Sequence, residues 1–369
     1  MVSMSIEHRL GQMLFVGLPG PTLDADTRRL LQNIQPGGII LFARNIESPQ
    51  QVVELNAEIR RIIKVAPLIS IDQEGGQVDR LKKICPAMPA ADMLRRVDDA
   101  PIAHEYGAIT ADLLRLLGFN MNFAPVVDLA VHEEADNALK GRYFGARINE
   151  VIRLAGAYLE GLQNSNIIGC GKHFPGLGDS VVDSHKSQPV VERSEQQLMA
   201  EDIQIYRDLI VKLNSQLQVI MVAHAFYPAF EGGANKTRTP ASLSPRIVTD
   251  LLRTKLDFQG MAISDDMEMG AITESISFAE AMVAAVEAGE DMMLICQTSA
   301  RIEEGAEALI QAIRDGRIST RRVENSINRI ARIKSMACSP ITYTIEHFSR
   351  VCDRITGFSE KLIKLAQLN

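Results

Sequence analysis

Ile167-Ile168-Gly169-Cys170-Gly171-Lys172-His173-Phe174-Pro175-Gly176-Leu177-Gly178-Asp179-Ser180-Val181-Val182-Asp183-Ser184-His185 passes from a buried-type apolar run into charge within a few residues. Ile167–Cys170 reads as a short strand closed by a cation and an imidazole. Pro175, Gly176 and Gly178 then punctuate a loop that neither helix nor strand would tolerate. Asp183 and His185 stand two residues apart, so the carboxylate can hold and polarise an imidazole that faces outward. Five ionisable groups crowd residues 172–185. On a loop leaving a buried strand, that density points to function rather than to a solvated turn.

Working outward, the same unit of apolar strand, polar loop and amphipathic helix recurs along the chain. Candidate strands are Gln12–Leu18, Gly37–Phe42, Leu68–Asp72, Met121–Asp128, Ile168–Phe174, Gln218–His224, Gly260–Asp266 and Asp291–Cys296. They are brief and rich in Val, Ile, Leu and Met, as strands covered on both faces should be. Helical periodicity fills the spaces between them: Asp24–Ile34, Ser48–Lys64, Ile102–Leu117, Glu150–Asn164, Glu195–Leu213, Ser244–Leu256, Ser277–Ala288 and Ala300–Asp315. Ser244 is the expected N-cap of its helix, with Pro245 at the first helical position. Eight strands, each followed by a helix, predict an α/β fold of the (β/α)8 TIM-barrel type. A doubly wound open sheet would need a Gly-rich phosphate fingerprint after its first strand, which Gly17-Leu18-Pro19-Gly20 does not supply. Residues 318–369 carry two further amphipathic patterns, Thr320–Met336 and Ile345–Leu368. They are expected to pack on the barrel's exterior or form a dimer face, within one catalytic domain spanning 1–369.

Bulk composition narrows the function. A net charge of −7 and the lack of a basic stripe interleaved with aromatics argue against a nucleic-acid partner. No run approaches the length of a membrane span and no apolar leader opens the chain, so a cytoplasmic protein without a membrane partner is expected. The five cysteines, Cys85, Cys170, Cys296, Cys338 and Cys352, are odd in number and widely spaced. They are expected mostly as buried small hydrophobes in a reducing compartment. Neither HExxH nor a paired Cys/His cluster occurs, and GxSxG is absent, so no metal or other cofactor is expected.

Function in such a barrel sits at the carboxyl ends of the strands, and those ends are unusually polar. They carry Asp72 and Glu74, Asp128, Lys172 and His173, His224, and Asp265, Asp266 and Glu268. Asp265 could serve as a nucleophile, with His185, oriented by Asp183, as the proton donor to a leaving oxygen. That pairing fits glycoside hydrolysis, although two carboxylates are usual there. Asp265 as a plain turn carboxylate, and a lyase or aldolase that uses Lys172 as a Schiff base, stay open at this level. His224 is equally readable as a structural or a site histidine, Asp128 as a brace for Arg142 or a loop, and Met267 and Met269 as wall.

Lys172-His173-Phe174-Pro175-Gly176 through Asp183-Ser184-His185 resembles the signature loop of glycoside hydrolase family 3, in its β-N-acetylglucosaminidase branch. Asp72-Gln73-Glu74-Gly75-Gly76, Asn122-Phe123-Ala124-Pro125-Val126-Val127-Asp128 and Ser264-Asp265-Asp266-Met267-Glu268-Met269 fit the same pattern, as do Pro240–Pro245 and Ala288–Leu294. The resemblance covers about Leu10 to Ile333. It implies a retaining hydrolase with Asp265 as nucleophile and His185 with Asp183 as acid/base dyad. Asp72, Arg80, Arg142, Lys172 and His173 would hold the hydroxyls of a terminal sugar. It also implies a carbohydrate partner, N-acetylglucosamine linked to the anhydro-muramic acid of a peptidoglycan-derived muropeptide, and a monomer or homodimer. Leu177 stands where the family usually has His, and Gln77 where it usually has Arg, the latter beside Glu74. These departures bear on efficiency and keep a non-catalytic sugar-binding barrel in view. A phosphorylase is the other variant, since a histidine acid/base does not repel phosphate.

Overall fold

The computed structural model describes residues 5–132, 137–180, 188–211, 217–231, 238–273 and 276–368. Eight parallel strands form the core: β1 Leu14–Gly17, β2 Gly38–Leu41, β3 Leu68–Ile71, β4 Met121–Asn122, β5 in two pieces Ile168–Gly169 and Gly171–Phe174, β6 Val219–Val222, β7 Met261–Asp266 and β8 Met292–Ile295. Seven segments run as one sheet in the order β3-β2-β1-β8-β7-β6 and the second piece of β5. The first piece of β5 instead pairs with β4. β4 reaches β3 through Asn120 N–H to the Ile69 carbonyl (3.1 Å) and Phe123 N–H to that of Ile71 (3.0 Å). The break in β5 thus divides its backbone bonds between two neighbours and closes the (β/α)8 barrel. Strands covered on both faces must be apolar throughout, and β1, β2, β3, β6 and β8 are buried at every position.

Every predicted strand is present; β5 keeps its predicted ends but is interrupted at Cys170, and the others are shorter by one or more residues. Among the helices, the predicted Glu195–Leu213 divides into Glu195–Ala200 and Asp202–Val211. After β6, Arg246–Lys255 winds as a π-helix, the Leu256 N–H reaching the Leu251 carbonyl five residues back. The apolar spacing that announces a helix cannot distinguish that winding from the α form. The Ser244 hydroxyl receives the Ile247 N–H and Pro245 is already helical, so the predicted cap holds. Between β3 and the helix Ala91–Val97 lies a feature the strand-helix pattern does not announce. Gln73–Gly75 folds back on Val78–Asp79 as an antiparallel ribbon. Gly75 turns it at φ 89°, where a Cβ would sit 2.0 Å from the Pro89 carbonyl oxygen.

The two C-terminal helices close on the barrel exterior. Thr320–Met336 covers its lower end, where Asp291, fully buried, accepts bonds from Arg253 (2.5 Å), Ser326 (2.7 Å), the Ala262 N–H (3.0 Å) and Arg329 (3.2 Å). Ile345–Ala366 lays Val351, Ile355, Phe358 and Leu362 onto the helices Ala91–Val97 and Ala100–Leu116, and Phe358 stacks on Tyr106 at 5.5 Å. Of the cysteines, only Cys170 and Cys296 are buried; Cys85 and Cys352 are half-buried and Cys338 is exposed, against expectation. Cys85 and Cys338 lie on connecting segments and only Cys352 on a helix.

Beside Asp291, Glu290 is buried with neither carboxylate oxygen bonded among the described residues. Burial pushes its carboxyl well up, and the Asp291 charge adds to that, against the opposing pull of Arg253 and Arg322. The folded state therefore holds a proton that the unfolded chain releases above the ordinary carboxylate value of 4.5. Stability from this group is fully present below that value and is lost as pH rises. Glu290→Gln should thus be neutral near pH 4 and stabilise progressively above it, by up to about 1.4 kcal/mol per pH unit. Denaturant midpoints at pH 4 to 8 check this; a constant difference would show Glu290 ionised in the fold.

Candidate active site

Asp72, Arg80, Arg142, Lys172, His173 and Asp265, six of the eight site residues expected from the sequence, line one pocket of about 240 Å³ at the carboxyl ends of the strands. The other two, Asp183 and His185, lie outside the described residues. Strand geometry explains the convergence: the last residues of neighbouring parallel strands emerge side by side, however distant in sequence.

The charges interlock. The Lys172 ammonium, on β5, sits between Asp72 (2.8 Å) and Glu74 (2.7 Å), both delivered by the end of β3. Glu74 in turn takes a two-pronged bond from Arg142, Nε to Oε2 at 2.7 Å and Nη2 to Oε1 at 2.9 Å. Burial alone would push the Glu74 carboxyl up, but Arg142 and Lys172 outweigh it and hold it well below the usual range. Lys172 is likewise drawn down by burial and up, by more, through Asp72 and Glu74. An ammonium held charged in this way is in the wrong state to attack a carbonyl, so the Schiff-base alternative loses its nucleophile. Arg80 approaches Asp72 at 3.9 Å. The ribbon places it there: the Gln73 side-chain carbonyl receives the Arg80 and Leu81 N–H groups, and its amide donates to Asp79.

Asp128 is fully engaged below His173. It accepts from the His173 ring Nδ1 (2.8 Å) and backbone N–H, and from the Leu177 N–H (2.8 Å). It therefore braces the loop and the imidazole, while Arg142 pairs with Glu74. Gln77 donates to the Lys140 carbonyl, while Glu74 pairs with Arg142 and Lys172. Leu177 does line the pocket, where it presents an apolar wall, and Met269 is also wall.

Asp265, at the end of β7, accepts the Asp266 N–H at 2.8 Å. Burial opposes its ionisation, yet the His224 and His173 imidazoles, the Asp266 N–H and the Lys172 ammonium prevail and hold its carboxyl below the ordinary value of 3.8. A half-buried carboxylate kept anionic, facing a pocket of hydrogen-bonding charges, is equipped to attack an electrophilic carbon or to stabilise a developing cation. No cluster able to hold a metal ion occurs among the described residues.

A family model for the glycosyl hydrolase family 3 N-terminal domain matches residues 5–333. The chain belongs to glycoside hydrolase family 3. It is therefore a glycoside hydrolase. It is 35% identical over 300 residues to a β-hexosaminidase of Pseudomonas aeruginosa, covering 80% of this chain and 86% of that one. A β-hexosaminidase of Haemophilus influenzae is 32% identical over 327 residues, 88% of each chain. Among solved structures, a family 3 β-N-acetylglucosaminidase from a Paenibacillus species superposes with a TM-score of 0.88 at 32% identity, over 97% of this chain and 69% of that one.

Residue-level reading of this family 3 site missed two groups. Glu74 was visible in its motif but unassigned, although a lysine on a buried strand needs two anionic or polar partners, and Glu74 lies two residues from Asp72. Phe42, at the end of β2, was read only as a strand terminus, yet it lines the pocket beneath the Arg80 guanidinium at 5.8 Å.

Proposed function

We propose that this protein is a retaining β-N-acetylglucosaminidase that removes terminal β-linked N-acetylglucosamine, with muropeptide fragments bearing anhydro-muramic acid as its natural substrates. One observation carries the reading. Asp265 is half-buried and held anionic in the same pocket as five side chains suited to binding sugar hydroxyls: Asp72, Arg80, Arg142, Lys172 and His173. The names of the relatives and the Paenibacillus structure support the acetamido sugar.

In this mechanism Asp265 attacks the anomeric carbon to form a covalent glycosyl-enzyme, while His185, held by Asp183, gives its proton to the departing oxygen. Water then enters, His185 takes its proton, and the sugar leaves with retained configuration. Giving its proton as an imidazolium and taking the next as a neutral imidazole, His185 shuttles it without placing a second negative charge beside the Asp265 ester. The charged groups around the sugar are already paired with one another, so they need little reorganisation as the oxocarbenium-like transition state forms.

The test is release of nitrophenol from the aryl β-N-acetylglucosaminide, with the β-glucoside as control. Turnover confined to the acetamido sugar supports the reading; silence on both would favour a barrel that only binds sugar. His185→Ala should spare the aryl glycoside, whose leaving group needs little protonation, and depress hydrolysis of a muropeptide-type linkage by roughly 10²-fold or more. Equal losses on both substrates would remove His185 from the acid role.

A further inference from the structure

Beside the nucleophile, outside the pocket lining, lie two fully buried polar side chains that the mechanism above does not use, His224 and Ser242. His224, at the end of β6, places Nε2 3.0 Å from the carbonyl oxygen of Asp266 and Nδ1 2.7 Å from the Ser242 hydroxyl. A carbonyl only accepts, so Nε2 carries a proton. Burial lowers the imidazole's affinity for a second proton and keeps the ring neutral. Nδ1 is then a lone pair, and Ser242 donates to it. Ser242 thereby selects the tautomer that lets His224 donate to Asp266.

Asp266 is held at its carbonyl, which also takes the Met269 N–H (3.0 Å), at its own N–H and at one carboxylate oxygen. Its carbonyl takes His224, its Oδ1 takes the N–H groups of Glu268 (3.1 Å) and Cys296 (3.2 Å), and its own N–H points at Asp265 Oδ1 (2.8 Å). The following residue, Met267, is fixed by its N–H to the Leu294 carbonyl at 2.8 Å. Rotation of the Asp266 backbone would swing that N–H off the Asp265 carboxylate. The His224 bond is the constraint on this rotation that comes from the β6 side. We propose that His224, set in its tautomer by Ser242, is a positioning residue for the nucleophile, fixing through Asp266 the direction in which the Asp265 carboxylate faces.

This rests on the hydrolytic reading of Asp265, and the experiment separates the two. Wild type, His224→Leu, His224→Gln and Ser242→Ala are compared on the aryl β-N-acetylglucosaminide, with thermal melts of each. The glutamine side-chain N–H can replace Nε2–H; leucine cannot. His224→Leu should lose roughly 10²-fold in kcat with KM changed less than about threefold, because a misaimed nucleophile costs the transition state and leaves ground-state binding alone. Glutamine should restore kcat to within about tenfold of wild type, and Ser242→Ala should fall between the two. Equal losses for leucine and glutamine, losses expressed as a rise in KM, or full activity in the leucine variant would each overturn the assignment while leaving the hydrolase reading in place. Should His224→Leu fail to fold, Ser242→Ala decides, since wild-type kcat in that variant is the overturning result. A wild type without turnover would sink the hydrolase reading and this inference with it.

Discussion

Asp265→Asn is expected to lower kcat on the aryl β-N-acetylglucosaminide by roughly 10⁴-fold or more, the scale seen when an enzyme loses a residue of its covalent machinery. The amide is nearly isosteric and can still accept the Asp266 N–H, so the melting temperature and the affinity for N-acetylglucosamine should hardly change. What is lost is the negative charge that forms the bond to the anomeric carbon. Because the surrounding imidazoles and the Lys172 ammonium hold this carboxyl below 3.8, the acid limb of kcat/KM due to Asp265 must also lie below that pH. Kinetics of purified wild type and variant, with a melt and a sugar titration, measure all three. A loss of less than tenfold would take the nucleophile's role away from Asp265.

Lys172→Met should produce the largest loss of stability. Lys172 and Glu74 are buried, Asp72 nearly so, and the ammonium bridges the two carboxylates. Among the described residues, removing it leaves Asp72 with only the distant Arg80 guanidinium and Glu74 with Arg142 alone, at a cost of about 3–5 kcal/mol, the usual penalty for breaking a buried ionic cluster from one side. A denaturant midpoint lowered at constant m-value is the expected signature. Activity should fall as well, since the groups proposed to bind sugar hydroxyls lose their alignment. A drop under 1 kcal/mol would mean that the two arginines suffice without the lysine.

How far the sequence was legible follows from the range of each interaction. Strands β1 to β8 were readable because burial on both faces imposes short, mainly apolar runs, a local requirement, with the polar residues gathered near their carboxyl ends. Their closure into a barrel through a divided β5 was not, because Cys170 and its neighbours look like one continuous strand. Lys172, His173, Asp72 and Asp265 stood out by chemical type at strand ends. The pairings did not: Lys172 meets Asp72 across 100 residues, and only the barrel brings them together. Gln77 illustrates the converse. Two residues from the Gly75 turn, its side chain crosses to the Lys140 carbonyl, a direction that no local pattern encodes. His224 was undecidable because its partners, Ser242 and Asp266, lie on other elements.

The stacking of Phe358 on Tyr106 bears on where this protein can be cut. The Tyr106 hydroxyl donates to the carbonyls of Pro89 (2.7 Å) and Glu74 (3.3 Å). The last helix therefore leans, through one aromatic ring, on the backbone that carries the Lys172 counter-ion. The family segment ends at 333, but the physical unit that supports the candidate site extends some 25 residues further, to Phe358. A truncation placed at the edge of the recognisable family region would remove a wall from behind the ribbon while leaving every motif intact.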